Sequence, residues 1–148
     1  MKILVICTGN SARSQMAEGF FKALGKDRID AKSAGTHPST VNPLAIRVME
    51  EAGIDISSHT SKSFKQFWGE TFDFVITVCD RAKEECPYFP GAKNYIHHGF
   101  EDPAAFSGTD EEKLLVFRNV RDAIRTWVEE FLRTDFSKKG SPISITLK

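Results

Sequence analysis

The residues of this chain best suited to chemistry lie near its start, in the segment Cys7–Ser14, which reads Cys-Thr-Gly-Asn-Ser-Ala-Arg-Ser. A cysteine thiolate is a nucleophile, and an arginine offers a planar, two-pronged donor to a tetrahedral oxyanion. An apolar run precedes the segment and a helical pattern follows it, so backbone N–H groups and a helix start can bind an anion there. The same field favours thiolate over thiol. The segment therefore predicts an oxyanion site with Cys7 as nucleophile and Arg13 as clamp.

The segment Cys7–Ser14 is called the nucleophile loop below. Its remaining residues have predicted roles in the same site. Gly9 and Asn10 are residue types that tolerate the left-handed conformations of a tightly curled loop. Ser14 is predicted to donate a hydrogen bond to the thiolate and to cap the following helix. Seven consecutive residues are expected to bind the oxyanion: Thr8, Gly9, Asn10, Ser11, Ala12, Arg13 and Ser14.

Two other interpretations of this loop are weaker. One is an ordinary strand-to-helix turn with a buried cysteine and a surface arginine. The other is nucleotide binding, which is disfavoured because neither the Gly-Lys pair of the Walker pattern nor the dinucleotide glycine fingerprint occurs.

Two further cysteines follow, Cys79 and, seven residues later, Cys86. An odd number of cysteines without a signal-peptide pattern argues against a secreted disulfide framework, so they are expected to be catalytic, metal-binding or buried fillers. Structural-zinc spacing is lacking, and no metal is predicted. If a helix over Asp80–Glu85 separates them, their Cα atoms lie roughly 10 Å apart, whereas a disulfide needs about 4.4–6.8 Å. A helix there would therefore keep these two cysteines too far apart to bond to each other.

Alternating strands and helices must position these residues. Strands are predicted at Lys2–Ile6, Ile29–Ala34, Phe72–Val78 and Asn94–His98. Helices are predicted at Gln15–Leu24 with Gly25 at its end, from Pro43 to Gly53, at Ser63–Trp68, at Asp80–Glu85, and from a Thr109 cap to Arg133.

This alternation predicts the α/β class, with one domain over residues 1–134 and a mobile tail over 135–148. The domain should have a central four-stranded parallel sheet with helices on both faces. Ligands of such sheets bind at the carboxyl ends of the strands. Cys7, Cys79 and the loop around Asp102 are expected to meet there.

Composition narrows the possible partners. Of 148 residues, 41% are hydrophobic and 27% are charged, which is typical of a soluble globular protein. Twenty basic and twenty acidic residues give a net charge of zero, so neither nucleic acid nor a membrane is an expected partner. Without a targeting or membrane-spanning pattern, the cytoplasm is the expected location. The protein is also expected to be a monomer.

The nucleophile loop resembles the signature of the low-molecular-weight protein tyrosine phosphatase superfamily, as do Ser33-Ala34-Gly35 and Asp102-Pro103. One branch of that superfamily contains phosphatases and another contains thioredoxin-coupled arsenate reductases. The segment from Cys79 to Pro87 is similar to the redox segment of the reductases, and so are Gly99–Ala104 and Gly108–Lys113. The phosphatases typically carry tyrosines after the Asp-Pro pair, where this chain has Ala104 and Ala105.

The resemblance implies reduction of arsenate to arsenite, with phosphate as a competing anion. Cys7 would attack arsenic while Asp102 protonates the departing oxygen. Cys79 would then form a disulfide with Cys7, and Cys86 would attack Cys79 to form a Cys79–Cys86 disulfide. Thioredoxin would reduce the final disulfide, and no metal or organic cofactor would be required. The resemblance thus implies that the helix over Asp80–Glu85 is present in the reduced form and looped out in the oxidised form.

Some members of the superfamily bind potassium near this loop through Asn, Glu, Ser and Asp side chains. Asn10, Glu18 and Ser33 match the first three, and Lys62 stands at the fourth position. A lysine would replace the cation electrostatically, so no potassium dependence is expected.

Two other function classes stay open. One is hydrolysis of phosphotyrosine or small aryl phosphates by Cys7, Arg13 and Asp102. The other is a non-enzymatic redox or anion-sensing module that uses the same thiols. Arsenite release in the presence of thioredoxin would separate the reductase from both.

Overall fold

A computed structural model of the chain describes residues 1–79 and 88–134. Its sheet has four parallel strands in the order β2-β1-β3-β4. They are β1 (Lys2–Cys7), β2 (Asp30–Gly35), β3 (Phe72–Thr77) and β4 (Ala92–His97). Since β1 lies between β2 and β3, the residues that follow β1 emerge at the centre of the carboxyl edge of the sheet.

Three α-helices pack on one face of this sheet: α1 (Arg13–Gly25), α2 (Pro43–Glu51) and α3 (Asp110–Arg133). Asn42 caps α2, where Pro43 occupies the first turn. Thr109 and Glu112 form a capping box at the start of α3. The apolar side of α3 then buries Phe117 and Trp127 among other residues, as its periodicity predicts.

The opposite face of the sheet is covered by a smaller cluster that combines aliphatic and aromatic side chains. Leu4 and Ile6 of β1 contact it, together with Phe67 from the 3-10 helix Phe64–Phe67 and Phe72 and Phe89. The alternation of β1 residues between the two clusters follows from the period of two in a strand. The predicted parallel sheet with helices on both faces is therefore confirmed, although the described helix on this second face is a 3-10 turn.

Two local predictions are wrong. Ser14 does not cap α1, because the helix already begins at Arg13 and Ala12 is the capping position, without a side-chain cap. Gly9 does not adopt a positive φ, which among the nucleophile-loop residues is found at Asn10. Because the helix already begins at Arg13, Ser14 lies in its first turn, and its side chain contacts Cys7 and Asn10 instead of capping the helix.

Other predictions fall outside the described residues. These are the helix at Asp80–Glu85, Cys86, and the mobility of residues 135–148. In the described part of the chain, no helix has the length and apolar character needed to cross a bilayer.

Candidate active site

The carbonyl groups of the nucleophile loop are turned outward and engaged by donors from elsewhere in the chain. Backbone N–H groups of residues 36, 37, 39 and 42 donate to the carbonyls of Cys7, Thr8, Gly9 and Ser11 at 2.9–3.3 Å. Because C=O and the next N–H point in opposite directions along a peptide unit, the N–H groups of this loop face its interior. The loop therefore presents the ring of backbone donors that an oxyanion requires.

Asn10 holds the loop in its curled shape. Its φ is +47°, and its side chain is fully buried. The side-chain Oδ1 accepts from the Lys62 backbone N–H at 2.8 Å, which fixes the amide orientation because a backbone N–H can only donate. Nδ2 therefore donates, to Ser14 Oγ at 2.8 Å and to Ser33 Oγ at 2.9 Å. Asparagine thus supplies both the left-handed backbone and the cross-links of the turn.

Ser14 lies directly beneath Cys7. Its Oγ is 2.9 Å from Cys7 Sγ, and both residues are buried. Because Ser14 Oγ accepts from Asn10, its own hydrogen is available for the sulfur. The predicted hydroxyl contact to Cys7 is therefore present, and its geometry suits a thiolate.

Gly35, at the end of β2, is required by close packing against this loop. A Cβ there would lie 2.4 Å from the Thr8 carbonyl oxygen and 2.8 Å from the Asn10 nitrogen. Only glycine leaves room for the loop to cross this strand.

Arg13 connects the nucleophile loop to the segment Phe100–Ser107, called the acid loop below. Its side chain is 4% exposed. Nη1 donates to the Phe100 carbonyl at 3.3 Å, and Nη2 lies 3.7 Å from Asp102 Oδ2. The guanidinium is thus held in place before any anion binds.

Asp102 stands on the rim of the site with 36% of its side chain exposed. Its Oδ1 accepts the Ala104 N–H at 3.0 Å, and it caps the 3-10 helix Pro103–Ala105. Its Oδ2 faces Arg13. This position is compatible with the predicted general acid, a role that stays a prediction.

A cavity of about 690 Å³ opens between the two loops. Cys7 and five of the seven predicted oxyanion-binding residues line one side, and these five are Thr8, Gly9, Ser11, Ala12 and Arg13. The acid loop lines the other side with Glu101, Asp102, Ala104, Ala105, Phe106 and Ser107. The remaining two predicted residues, Asn10 and Ser14, are fully buried and act from behind the loop.

Cys79 lies two residues beyond the end of β3, fully buried. Ile6 of β1 pairs with Thr77 of β3, so Cys7 and Cys79 follow adjacent positions at the carboxyl edge of the sheet. Cys79 is disulfide-bonded, whereas Cys7 is a free cysteine. Any reaction of Cys79 as a thiol therefore starts from its reduced form.

Several residues that support the loop are missing from the sequence predictions. Gln15 Nε2 donates to Asn10 Oδ1 and to the Asn10 and Thr60 carbonyls. Its Oε1 must then accept from His59 Nδ1, 3.0 Å away, which assigns a proton to that nitrogen. These contacts join residues up to 45 positions apart, and no local pattern signals them.

Glu18, one turn beyond the loop on α1, is a buried carboxylate with three polar neighbours. Ser33 Oγ donates to Oε1 at 2.6 Å, and Lys22 Nζ donates to Oε2 at 2.5 Å. Burial opposes ionisation, but the hydrogen bonds from Lys22 and Ser33 outweigh it and lower the pKa of Glu18. His59 Nε2 lies 3.6 Å away, and burial lowers the pKa of this histidine despite the nearby carboxylate.

Comparison with known proteins agrees with this geometry. The sequence profile of the low molecular weight phosphotyrosine protein phosphatase family matches residues 2–141. The arsenate reductase of Halalkalibacterium halodurans is 48% identical over 132 residues, which cover 89% of this chain and 95% of that protein.

Solved structures give the same result. An arsenate reductase in the phosphate-binding state has a TM-score of 0.75 at 39% identity, over 88% of this chain and 95% of the other. A thioredoxin-dependent arsenate reductase of Corynebacterium glutamicum has a TM-score of 0.62 at 25% identity, over 90% of this chain and 63% of that one. The similarity extends along nearly all of the described fold, so the chain belongs to the low molecular weight phosphotyrosine protein phosphatase family, in its arsenate reductase branch.

Proposed function

We propose that this protein reduces arsenate to arsenite, using Cys7 as nucleophile and a Cys7/Cys79/Cys86 disulfide cascade that thioredoxin resets. Arsenate would occupy the nucleophile loop, bound by inward-facing N–H groups and Arg13. The Cys7 thiolate forms a bond to arsenic(V), and one arsenate oxygen leaves as water after protonation by Asp102.

The redox steps move two electrons from sulfur to arsenic. Cys79, as a thiolate, attacks Cys7 Sγ, so that a disulfide forms and the sulfur–arsenic bond breaks with its electron pair going to arsenic. Arsenite is then released. Cys86 attacks Cys79, which frees Cys7 and leaves a Cys79–Cys86 disulfide. The dithiol of thioredoxin reduces that disulfide and becomes oxidised itself.

The observation that carries this proposal is the location of two buried cysteines at the carboxyl ends of neighbouring strands. Cys7 ends β1, and Cys79 follows β3, which pairs with β1. Hydrolysis of a phosphocysteine needs one thiol and water. Reduction needs a second thiol that can reach the first, and this adjacency supports that step.

The support for thioredoxin as the reductant comes from a structural relative. The Corynebacterium glutamicum structure belongs to a thioredoxin-dependent arsenate reductase.

A coupled assay tests the proposal directly. Arsenate is supplied with thioredoxin, thioredoxin reductase and NADPH, and arsenite formation is measured with NADPH consumption. The expected stoichiometry is one to one, and Cys7→Ser should abolish it. Glutathione with glutaredoxin, used in place of thioredoxin, should support little turnover. Activity retained by Cys7→Ser would contradict the mechanism, and preference for glutathione would contradict the assigned reductant.

The size of the cavity favours hydrolysis of small aryl phosphates as a second candidate activity. A volume of about 690 Å³ is several times what a tetrahedral oxyanion needs, and Ala104, Ala105 and Phe106 add apolar surface. Hydrolysis of p-nitrophenyl phosphate by the wild type, lost in Cys7→Ser, would support this side activity. No hydrolysis above the Cys7→Ser background would exclude it.

A further inference from the structure

The buried carboxylate of Glu18 raises the question of what balances its charge. Its side chain is 5% exposed. Burying an ionised carboxylate is costly unless a counter-charge and hydrogen bonds compensate. In the resemblance described above, Asn10, Glu18 and Ser33 match three potassium ligands, so an alkali cation is the first candidate for that counter-charge.

The hydrogen-bond directions do not fit such a cation. A potassium ion requires oxygen lone pairs directed at one point. Here Asn10 turns its Nδ2 hydrogens, not its oxygen, towards Ser33, and the Ser33 hydroxyl hydrogen points at Glu18. Asn10 Oδ1 is engaged by N–H groups of Lys62 and Gln15. Donor hydrogens thus point where ligand lone pairs would be needed.

The counter-charge comes instead from the same helix. Lys22 Nζ contacts Glu18 Oε2 at 2.5 Å, one turn along α1. Lys62, which the sequence predicts in this part, instead donates from Nζ to the Thr60 carbonyl at 2.7 Å. The direct ammonium contact to Glu18 is therefore made by Lys22.

A directional chain of hydrogen bonds then connects this ion pair to the nucleophile. Glu18 accepts from Ser33, Ser33 accepts from Asn10, Asn10 also donates to Ser14, and Ser14 contacts Cys7 Sγ. Every link is 2.6–2.9 Å long.

We infer that Lys22 is a built-in counter-cation in place of an alkali ion, and that the Lys22–Glu18 pair is a positioning unit for the Cys7 thiolate. The inference rests on Cys7 being the nucleophile of the proposed function. Loss of Lys22 has two effects in the same direction. Ser33 loses a fixed acceptor beneath the loop, so that Asn10, which donates to Ser33, is held less firmly. The uncompensated carboxylate also disfavours a second anion nearby.

The test compares Lys22→Met and Lys22→Arg with the matched control Arg125→Met. Arg125 forms an exposed i,i+4 pair with Glu129 on α3, with 3.7 Å between Nε and Oε2. The reduced proteins are treated with limiting iodoacetamide, and alkylation of Cys7 is followed by peptide mass spectrometry. Thermal unfolding is recorded on the same samples. Alkylation does not require arsenate turnover, so this readout stays informative if the proposed reaction itself fails.

Lys22→Met should slow Cys7 alkylation by roughly tenfold, the effect expected of a unit charge near a partly buried site. Lys22→Arg should stay within about twofold of the wild type because it keeps the charge, and Arg125→Met should match the wild type. An unchanged alkylation rate in Lys22→Met would overturn the inference, as would an equal slowing in Arg125→Met.

A second arm tests the cation directly. Wild-type alkylation rate and Tm should be the same in potassium chloride and in choline chloride at equal ionic strength. A potassium-specific rise in either quantity would show that an alkali ion, rather than Lys22, completes the Glu18 site.

Discussion

The two loops that enclose the cavity are held in contrasting ways. In the nucleophile loop, Asn10 and Ser14 are fully buried and cross-linked, and the carbonyls are tied to neighbouring segments. In the acid loop, Asp102 is 36% exposed, and its side chain contacts Ala104 and Arg13. Buried cross-links are concentrated in the loop proposed to align a thiolate and an oxyanion, whereas Asp102, the proposed proton donor, sits on a more open rim. Substitutions in the first loop should therefore affect both stability and activity, and those in the second activity alone.

Arg13→Lys should have the largest effect on activity, because Arg13 belongs to the nucleophile loop and also contacts the acid loop. An ammonium keeps the charge but cannot serve the oxyanion, Phe100 and Asp102 together. We expect kcat/KM for arsenate to fall by about 10³-fold, a loss of ~4 kcal/mol of transition-state stabilisation. Steady-state kinetics measure this, and near-normal values would mean that Arg13 is not the clamp.

Asn10→Ala should lower both the stability of the protein and its arsenate turnover, because it disrupts the nucleophile loop. It removes the donors to Ser14 and Ser33 and forces alanine into a left-handed backbone. Unfolding free energy should fall by ~2–4 kcal/mol, and arsenate turnover by about 10²-fold. The control is Asn94→Ala, which loses one hydrogen bond to the Asp73 carbonyl, far from the cavity.

Denaturant unfolding and the coupled assay, run on both asparagine variants, decide this point. Asn94→Ala should lose only ~1 kcal/mol of stability and keep its turnover. If Asn10→Ala behaves the same way, the nucleophile loop does not depend on its buried cross-links.

Asp102→Asn should separate activity from stability. Asparagine can keep the side-chain bond to the Ala104 N–H, so Tm should change by less than about 2 °C. Loss of the acid should lower kcat by roughly 10²-fold. A large fall in Tm would show that the acid loop is as tightly built as the nucleophile loop.

The smallest expected effect is the pH dependence of thermal stability that Glu18 contributes. Its pKa is lowered in the folded protein from 4.5, so its stabilising contribution is present above pH 4.5 and is lost as pH falls through the folded pKa. The Tm of the wild type should exceed that of Glu18→Gln by ~2–4 °C at pH 7. Melting curves should show this gap closing in acid, and a gap that stays constant would mean that the charge of Glu18 is not stabilising.

The same contrast explains what the sequence could predict. Cys7, Asn10 and Arg13 are brought together by one short turn, so spacing and residue type were sufficient to predict that they lie in one loop. The sheet followed from local patterns as well, since each strand carries its own apolar run.

What the sequence did not predict depends on long-range contacts. Ser33 contacts Asn10 across 23 residues, and Gln15 contacts His59 and the Thr60 carbonyl across 44 and 45 residues. Lys22 also replaces Lys62 at the Glu18 carboxylate. The wrong assignment of Ser14 as a helix cap has a related cause. Serine favours helix starts, but here tertiary structure directs its hydroxyl to Cys7.

The central claim is that Cys7 and Cys79 perform different steps, and the variant Cys79→Ser tests it most directly. Arsenate turnover and p-nitrophenyl phosphate hydrolysis are measured on one preparation of this variant, with the wild type alongside. The account predicts that arsenate turnover is lost, while any hydrolysis shown by the wild type is retained, because hydrolysis needs only Cys7, Arg13 and Asp102. Arsenate turnover at the wild-type level would contradict the account, and loss of both activities would make Cys79 a structural residue.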